Sequence, residues 1–429
     1  MQTHIAIAGD GPAALFLGVA CAEAGLDVVI SGPGIDLPWT NRYGAWADEL
    51  DGLGLRSAYA DVFDQTDAWM GEGEHRRLDR GYVRLDSDRL QWLLMDRFND
   101  AGGILVGAAV EAIRPAPGGA RVELDNGDTL RSTVAVDATG GRSYLTERRG
   151  KARSFQTAYG IECTLTGEQP WARDAMTLMD FRSPAGEPGP NDVPTFLYAM
   201  PLENGRWFLE ETVLTRGPMV PPDQLHERLQ RRLAALGNTI VDASGQERCV
   251  IAMDLPRPIE GQGHVAWGAA ASMIHPATGY SLAYVANRAP VVAAVLAHEL
   301  RRPGSDTPRR ALAAAQDAVW SADDLRTDEL YRFGASTLAN ADLVRYRRFF
   351  GAFFELPEEV WRGYLSRTLS PTQLRNAMLG LFARLNPGLQ ASLASHVVRQ
   401  PGRVLRGLLP DPRRMWRSSQ RKGQGQGLL

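Results

Sequence analysis

The chain has 429 residues, 44% hydrophobic and 23% charged, with a formal net charge of −3. That is ample apolar material for about three domains or one two-lobed enzyme with an extension, which excludes a disordered chain; the charge gives no global field to favour nucleic acid. Cys21, Cys163 and Cys249 lie far apart in no CxxC spacing, which argues against a disulfide framework and a structural zinc site, so no metal is expected.

His4–Ala8 reads as a strand, Gly9–Ala14 as a glycine turn, Leu15–Ala24 as a helix closed by Gly25, and Asp27–Ile30 as a second strand. The start lacks the basic segment of a signal peptide. A polar and aromatic segment runs from Ser31 to about Asp86, followed by a predicted helix over Asp88–Ala101. Ile104–Val106, Val110–Ile113, Arg121–Leu124 and Thr133–Asp137 read as strands. Beyond Gly141 the texture changes. Ser154–Thr166, Ala175–Phe181, Thr195–Met200 and Arg206–Leu214 suggest a mostly antiparallel sheet, Pro184–Pro194 a loop, and Pro222–Leu236 an amphipathic helix. Dinucleotide-domain texture returns at His264–Tyr280 and in a helix ending near Leu300; from Arg310 onward the pattern is nearly all helical. The apolar stretch Ala289–Leu300 is interrupted by His298 and Glu299, and no segment reaches the ~18 apolar residues of a membrane span. The expected location is cytoplasmic.

Four motifs carry chemistry. In Gly9-x-Gly11-Pro12-Ala13-Ala14, Gly9 permits a tight turn, Gly11 admits a pyrophosphate, and the small residue at 14 lets the helix pack on the strand. The helix amides then face the anion. The second strand ends in Ser31 where an acid usually holds the ribose, which leaves a serine hydroxyl for that contact. Asp137-Ala138-Thr139-Gly140-Gly141 follows a buried strand with small residues suited to the same dinucleotide. Gly268-Ala269, followed by His275-Pro276-Ala277-Thr278-Gly279-Tyr280, brings backbone close to a flat cofactor. Finally, Phe208-Leu209-Glu210-Glu211-Thr212 is a strand on which Glu210 and Thr212 share one face and Glu211 takes the other. A carboxyl that faces inward has its pKa raised by desolvation and can act as an acid near neutral pH; the alternative from the strand pattern alone is an amphipathic strand with a solvent-facing acid.

In order, these motifs, with Pro38–Glu49 around Tyr43-Gly44-Ala45-Trp46, Gln156–Glu162, Met179-Asp180-Phe181-Arg182 and Phe196–Pro201, resemble the lycopene β-cyclase family over about residues 5 to 300; Phe349–Pro357 is similar too. The resemblance implies a fold class: an α/β Rossmann-like FAD-binding domain of the glutathione-reductase and p-hydroxybenzoate-hydroxylase kind, with an inserted antiparallel-sheet substrate domain and a helical C-terminal region. The expected division is 1–50, 88–150 and 258–305 for FAD, 51–87 and 151–257 for substrate, and 306–429 for the helices. The resemblance also implies an acid-initiated cyclisation of a linear isoprenoid polyene beside reduced FAD, with no net redox change and NAD(P)H or another reductant as priming donor. It transfers the acid to Glu210, with Glu211 as fallback against a register slip. Asp180 is either a partner carboxylate that keeps Glu210 protonated or a structural partner of Arg182.

The competing enzyme class is a flavin-dependent monooxygenase or halogenase acting on a hydrophobic substrate. Such enzymes usually carry Gly-Asp where this chain has Gly268-Ala269. A catalytically dead flavin carrier is the competitor from another class, and an intact Glu210 argues against it. The C-terminal stretch Arg399–Lys422 carries eight basic residues against Asp411, with Leu405, Leu408, Leu409, Met415 and Trp416 interleaved. That pattern suits peripheral contact with an anionic membrane, or else a solvated tail. The sequence leaves the oligomeric state open.

Overall fold

The structure, a computed structural model, describes residues 2–187, 192–302 and 304–408. The chain divides into two compact units, Met1–Val319 and Trp320–Leu429.

In the first unit, the strands Gln2–Ala8, Val28–Ser31 and Thr129–Asp137 run parallel at the centre of a seven-stranded sheet, with Ile104–Val106 parallel at one edge. Val265–Ala266 joins Thr129–Asp137 in parallel, and Gly119–Leu124 and Val110–Ala116 continue the sheet antiparallel. The central strands are near-continuous apolar runs because both faces are covered. Ile5, Ile7, Val29, Val134 and Val136 are all buried. The helix Pro12–Glu23 is apolar almost all round, with Leu15, Leu17, Val19 and Cys21 buried, and it packs against the helix Leu282–Leu300.

A second seven-stranded sheet has the order Ile240–Ala252, Phe155–Leu165, Trp207–Arg216, Phe196–Pro201, Met176–Asp180, Thr66–Gly71, Glu74–Leu78. Its pairings are antiparallel except between Met176–Asp180 and Thr66–Gly71, which run parallel. A small third sheet joins Tyr43–Trp46, Tyr82–Leu85 and Tyr59–Phe63. Two elements of this half were not predicted from the sequence. The polar and aromatic segment after Ser31 holds five short strands. Ile240–Ala252 is also a strand, and it forms the edge of the second sheet with most of its side chains exposed or half-exposed. An edge strand needs no apolar alternation, so its polar sequence conceals it.

One face of the second sheet is covered by the helix Pro222–Ala235. Its Leu225, Leu229 and Leu233 meet Tyr159, Ile161, Leu197, Trp207 and Leu209 in one apolar cluster. Into this cluster the helix sends one charge. Arg232 donates through Nε to Glu211 Oε2 at 2.8 Å and through Nη2 to Oε1 at 2.9 Å. The two side chains are 9% and 2% exposed. The carboxylate also accepts a hydrogen bond from the Thr195 hydroxyl.

The second unit is helical as far as it is described: Ala322–Leu338, Leu343–Phe353, Glu358–Leu365, Pro371–Arg384, Pro387–Arg399 and Pro401–Leu408. Ser321 with Asp324 and Ser370 with Gln373 form reciprocal N-terminal caps. Leu330, Tyr331 and Leu374 form a small core, beside which the buried Asp328 binds Arg332 at 2.6 Å and Arg367 at 3.3 Å. Among the described residues no helix is long and apolar enough to cross a membrane.

Removing one member of a buried, hydrogen-bonded ion pair leaves the other charge without compensation, at a cost of about 3–5 kcal/mol. Arg232→Ala is therefore expected to lower unfolding stability by about that amount. Urea denaturation followed by far-UV circular dichroism measures it; a loss below about 1 kcal/mol would mean the pair does not hold the helix to the sheet.

Candidate active site

Within the first unit, a cleft of about 1540 Å³ runs from the glycine turn after the first strand to one face of the second sheet.

At the first end, Gly9 takes φ +129°, and a Cβ there would stand 2.6 Å from the carbonyl oxygen of Ala138. Only glycine permits that approach between the first two motifs. Gly11 is the extended N-cap of the helix Pro12–Glu23, which has no side-chain cap. A Cβ on Gly11 would meet nothing within 4 Å, because that side is open cleft. Gly11, Pro12 and Ala13 line the cleft, while Ala14 is buried behind them. An uncapped helix start with its positive dipole end facing open space is a ready site for a phosphate anion.

Asp137 shapes the next wall. Its buried carboxylate accepts from the Thr139 N–H at 3.0 Å, the Thr139 hydroxyl at 2.6 Å, the Ser143 hydroxyl at 2.5 Å and the Thr146 hydroxyl. Thr139 and Gly140 are thereby presented to the cleft. The third segment is tied to the first by the Trp267 indole N–H, which donates to the Ala13 carbonyl at 2.7 Å. Gly268 follows with φ +60°, and a Cβ there would lie 2.6 Å from the Ala13 side chain. Gly268, Ala269, Gly279 and Tyr280 line the cleft. A wall of small residues beside an anion site suits a dinucleotide with a flat ring.

Four predicted binding residues stand elsewhere than expected. His275 and Pro276 are buried behind the wall. His275 Nδ1 accepts from the Ala277 and Thr278 N–H groups at 3.1 and 3.2 Å, so the imidazole holds the turn and does not stand at the cleft surface. The Thr278 hydroxyl likewise braces the turn, accepting from the Tyr280 N–H at 3.2 Å. Ser31 is buried and donates to the Ala108 carbonyl at 2.6 Å, which turns its hydroxyl into the sheet and away from any ribose. The side chain that does reach the cleft near the second strand is Asp10, whose carboxylate accepts the Gly34 N–H at 2.7 Å. The sequence signal for it was the run of small residues after Ser31: a Cβ on Gly32 would stand 2.6 Å from the Asp10 Cβ.

At the other end of the cleft the second sheet presents a row of residues in register. Tyr198 pairs with Glu210, Glu210 with Gly160, and Gly160 with Glu247. Tyr198, Glu210 and Glu247 all line the cleft. The Thr212 hydroxyl donates to Glu210 Oε1 at 3.0 Å. The carboxyl of Glu210, half-buried at the cleft wall, is pushed up to about 8, first by burial and then by Glu247; Thr212 and Arg42 oppose the rise. Burial also raises Glu247, against the pull of the Arg42 backbone N–H, which donates to it at 3.1 Å, and the Arg42 charge. Two neighbouring carboxyls in a low-dielectric wall favour one shared proton near neutral pH. Glu247 was missed in the sequence because it lies on the polar edge strand.

Glu211 points to the opposite face, into its ion pair with Arg232, and does not line the cleft. Asp180 does not reach the cleft either. Burial works against its charge, but Arg182, Arg232 and the Trp171 indole outweigh it and hold the carboxyl below its ordinary range. Arg182 donates to it through its backbone N–H at 2.9 Å and through Nη2 at 2.6 Å, and Trp171 Nε1 donates at 2.9 Å. The carboxyl beside Glu210 is therefore Glu247, and Asp180 pairs with Arg182.

The folded chain is similar to a geranylgeranyl bacteriochlorophyll reductase-like protein from Thermoplasma acidophilum, with a TM-score of 0.64 at 15% identity, covering 92% of this chain and 99% of that one. It is also similar to the flavin-dependent brominase Bmp2, with a TM-score of 0.62 at 14% identity, covering 88% and 98%. At these identities the likeness is one of fold, the Rossmann-like α/β fold of flavoproteins. In sequence, the chain is 35% identical over 386 residues to the lycopene beta cyclase of Synechococcus elongatus, covering 88% of this chain and 92% of that protein. The family model for lycopene cyclase protein matches residues 4–387. The chain belongs to the lycopene cyclase family.

Proposed function

We propose that the protein closes a six-membered ring at the end of a linear isoprenoid polyene, a lycopene-like carotene or other prenyl chain, by acid-initiated carbocation cyclisation beside reduced FAD. The observation that carries this reading is Glu210: a carboxyl held protonated near neutral pH, on an aromatic and aliphatic wall, at the far end of a cleft that begins as a dinucleotide cradle. The family relationship supports the substrate class, since the Synechococcus relative is a lycopene beta cyclase.

FAD fits the residues present. The uncapped start of the helix Pro12–Glu23 would hold the pyrophosphate, and Gly140, Gly268 and Ala269 leave space for flat rings. Bound in its reduced form, with NAD(P)H or another reductant as priming donor, the flavin would supply negative charge to offset the cation. Glu210 gives its proton to a terminal alkene, whose π pair forms the new C–H bond and leaves a tertiary cation. The neighbouring alkene closes the ring, and a ring C–H loses its proton to form the product double bond. Met200, Phe208, Tyr198 and Val285 at the cleft wall keep water from the cation. The balance is an isomerisation, with no net electron transfer.

A hydrocarbon substrate resides in lipid, so the reading includes peripheral contact with the inner face of the membrane. The helices Pro387–Arg399 and Pro401–Leu408 leave Val398 and Leu405 exposed beside basic residues, which suits an anionic interface. The rest of the basic C-terminal stretch lies outside the described residues.

Four outcomes test this function. Gly11→Trp starts from a Cβ that meets no protein atom within 4 Å and carries an indole into the cleft, so it is expected to leave the fold intact and strip the flavin, read as loss of yellow absorbance in the purified protein. Unchanged flavin content would place the pyrophosphate elsewhere. Glu210→Gln is expected to keep the flavin and lose turnover by ~10²–10⁴ or more, as removal of a general acid does. In the unsubstituted enzyme, product mass should equal substrate mass in ordinary water, and one deuterium per ring should enter in deuterated water. Consumption of dioxygen and one reductant per turnover, with an oxygen gained by the product, would instead make the protein a monooxygenase. The pH profile follows from the sign of the Glu210 shift. The acid form is present below about 8 and is lost as pH rises through that value, so kcat should be level near pH 7 and fall about tenfold per unit well above 8. A decline centred near pH 4–5 would exclude Glu210 as the proton donor.

A further inference from the structure

Glu210 and Glu247 stand in one register row with Gly160 between them. Strands in a sheet are about 4.8 Å apart, so the two Cα atoms are separated by about 10 Å. Gly160 contributes no side chain to the space between. The ring of Phe208 reaches over it instead: a Cβ on Gly160 would stand 2.6 Å from Phe208 Cζ and 3.5 Å from Glu210 Oε2. The result is a slot with a carboxyl on either side and an aromatic ring at its floor. Glu247 is itself held in place, accepting the Arg42 N–H at 3.1 Å, while the Arg42 guanidinium is engaged by Glu162 at 3.1 Å.

The mechanism above assigns the proton that is added but no acceptor for the proton that is lost. We infer that Glu247 is that acceptor: the slot holds the reacting end of the polyene between an acid, Glu210, and a base, Glu247. This rests on the cyclase reading. The acid and the base rise from strands on either side of Gly160 and both line the cleft, so one reacting group lying along that wall is within reach of both. The step balances without an oxidant. Glu210 begins protonated and Glu247 ionised. Glu210 donates its proton to one alkene carbon, the second alkene supplies the electron pair of the ring bond, and the ring C–H pair becomes the product double bond as its proton passes to a Glu247 oxygen. The site ends with Glu210 ionised and Glu247 protonated, and exchange of both carboxyls with solvent protons after the product leaves resets it.

The other titratable groups facing the pair do not compete for the proton. Tyr43 and Tyr280 are pushed up to about 12, chiefly by burial. Burial also raises Tyr82, Tyr198 and Cys249 well above neutrality. Glu162 is engaged by Arg42 and Arg84.

The test is Glu247→Gln, which keeps an acceptor for the Arg42 N–H but removes the base, alongside Glu247→Asp, which restores a carboxylate. Flavin content checks that each variant is folded and loaded. With a linear polyene and the reductant used for the unsubstituted enzyme, Glu247→Gln should turn over at least tenfold more slowly. It should release a mixture, with rings whose double bond has formed at other carbons or cations captured by water as alcohols, resolved by mass spectrometry and NMR. Glu247→Asp should restore the single product in whole or in part. The upper limb of the Glu247→Gln pH profile should also move to lower pH, because Glu210 loses a like-charged neighbour. If Glu247→Gln, or Glu247→Asp where the Gln variant makes no product, yields the unsubstituted enzyme's product alone at an unshifted pH profile and a rate within twofold, Glu247 is not the base. Failure of the unsubstituted enzyme to cyclise any polyene would instead overturn the cyclase reading.

Discussion

The strand Trp207–Arg216 must put one of two adjacent glutamates into an apolar interior, and the arginine of one helix makes that possible. Side chains alternate along a strand, so Glu210 and Glu211 cannot share a face. Arg232 meets Glu211 with two hydrogen bonds from beneath the sheet. That pairing compensates the buried charge and leaves Glu210 on the cleft face without a cation at bonding distance. If the strand slipped by one residue, the apolar side chains that meet Leu225, Leu229 and Leu233 would turn outward and Glu210 would be driven into the helix. The register is thus held twice, by the apolar cluster and by the ion pair.

The two adjacent acids have opposite surroundings as a result. Glu211 is bonded twice by Arg232. Glu210 has a threonine hydroxyl, a more distant arginine and a second carboxyl, so burial dominates and the proton is retained. The same contrast separates Asp180 from Glu247. Asp180 is surrounded by Arg182, Arg232 and the Trp171 indole and is held ionised, whereas Glu247 is raised together with Glu210. Desolvation opposes the charge at Asp180, Glu210 and Glu247 alike, and only Asp180 has a bonded guanidinium to outweigh it.

At the opposite end of the cleft the organising constraint is close approach of backbone. Gly9 lies against the Ala138 carbonyl, and Gly268 against the Ala13 side chain. Asp137 and Trp267 carry the polar links that hold these segments in register, through the Thr139 amide and the Ala13 carbonyl. Both ends of the cleft belong to the first unit, so the distance from the glycine turn to the two carboxyls is set within one packed body.

The α/β class, the glycine turn, the helix that follows it and most strands of the second sheet were legible in the sequence, because each depends on local pattern: apolar runs for doubly covered strands, alternation for half-covered ones, and glycine at tight turns. The glutamate pair on one strand was legible too, as a statement that the two residues part to opposite faces. Which of them meets a cation depended on Arg232, which lies 21 positions away along the chain. The five strands after Ser31 and the edge strand Ile240–Ala252 escaped notice because short or solvent-facing strands need no strong apolar period. Glu247 was hidden with that edge strand, and Gly160 was one glycine among 44. Their placement with Glu210 in a single row arises from hydrogen-bond register between strands distant in sequence, and no local pattern encodes it. The same holds for Ser31 and His275, whose polar atoms found backbone partners inside the fold instead of facing the cleft. Local sequence determined which elements form and which residues carry chemistry; tertiary packing decided which of those residues face one another, because burial and pairing act through space.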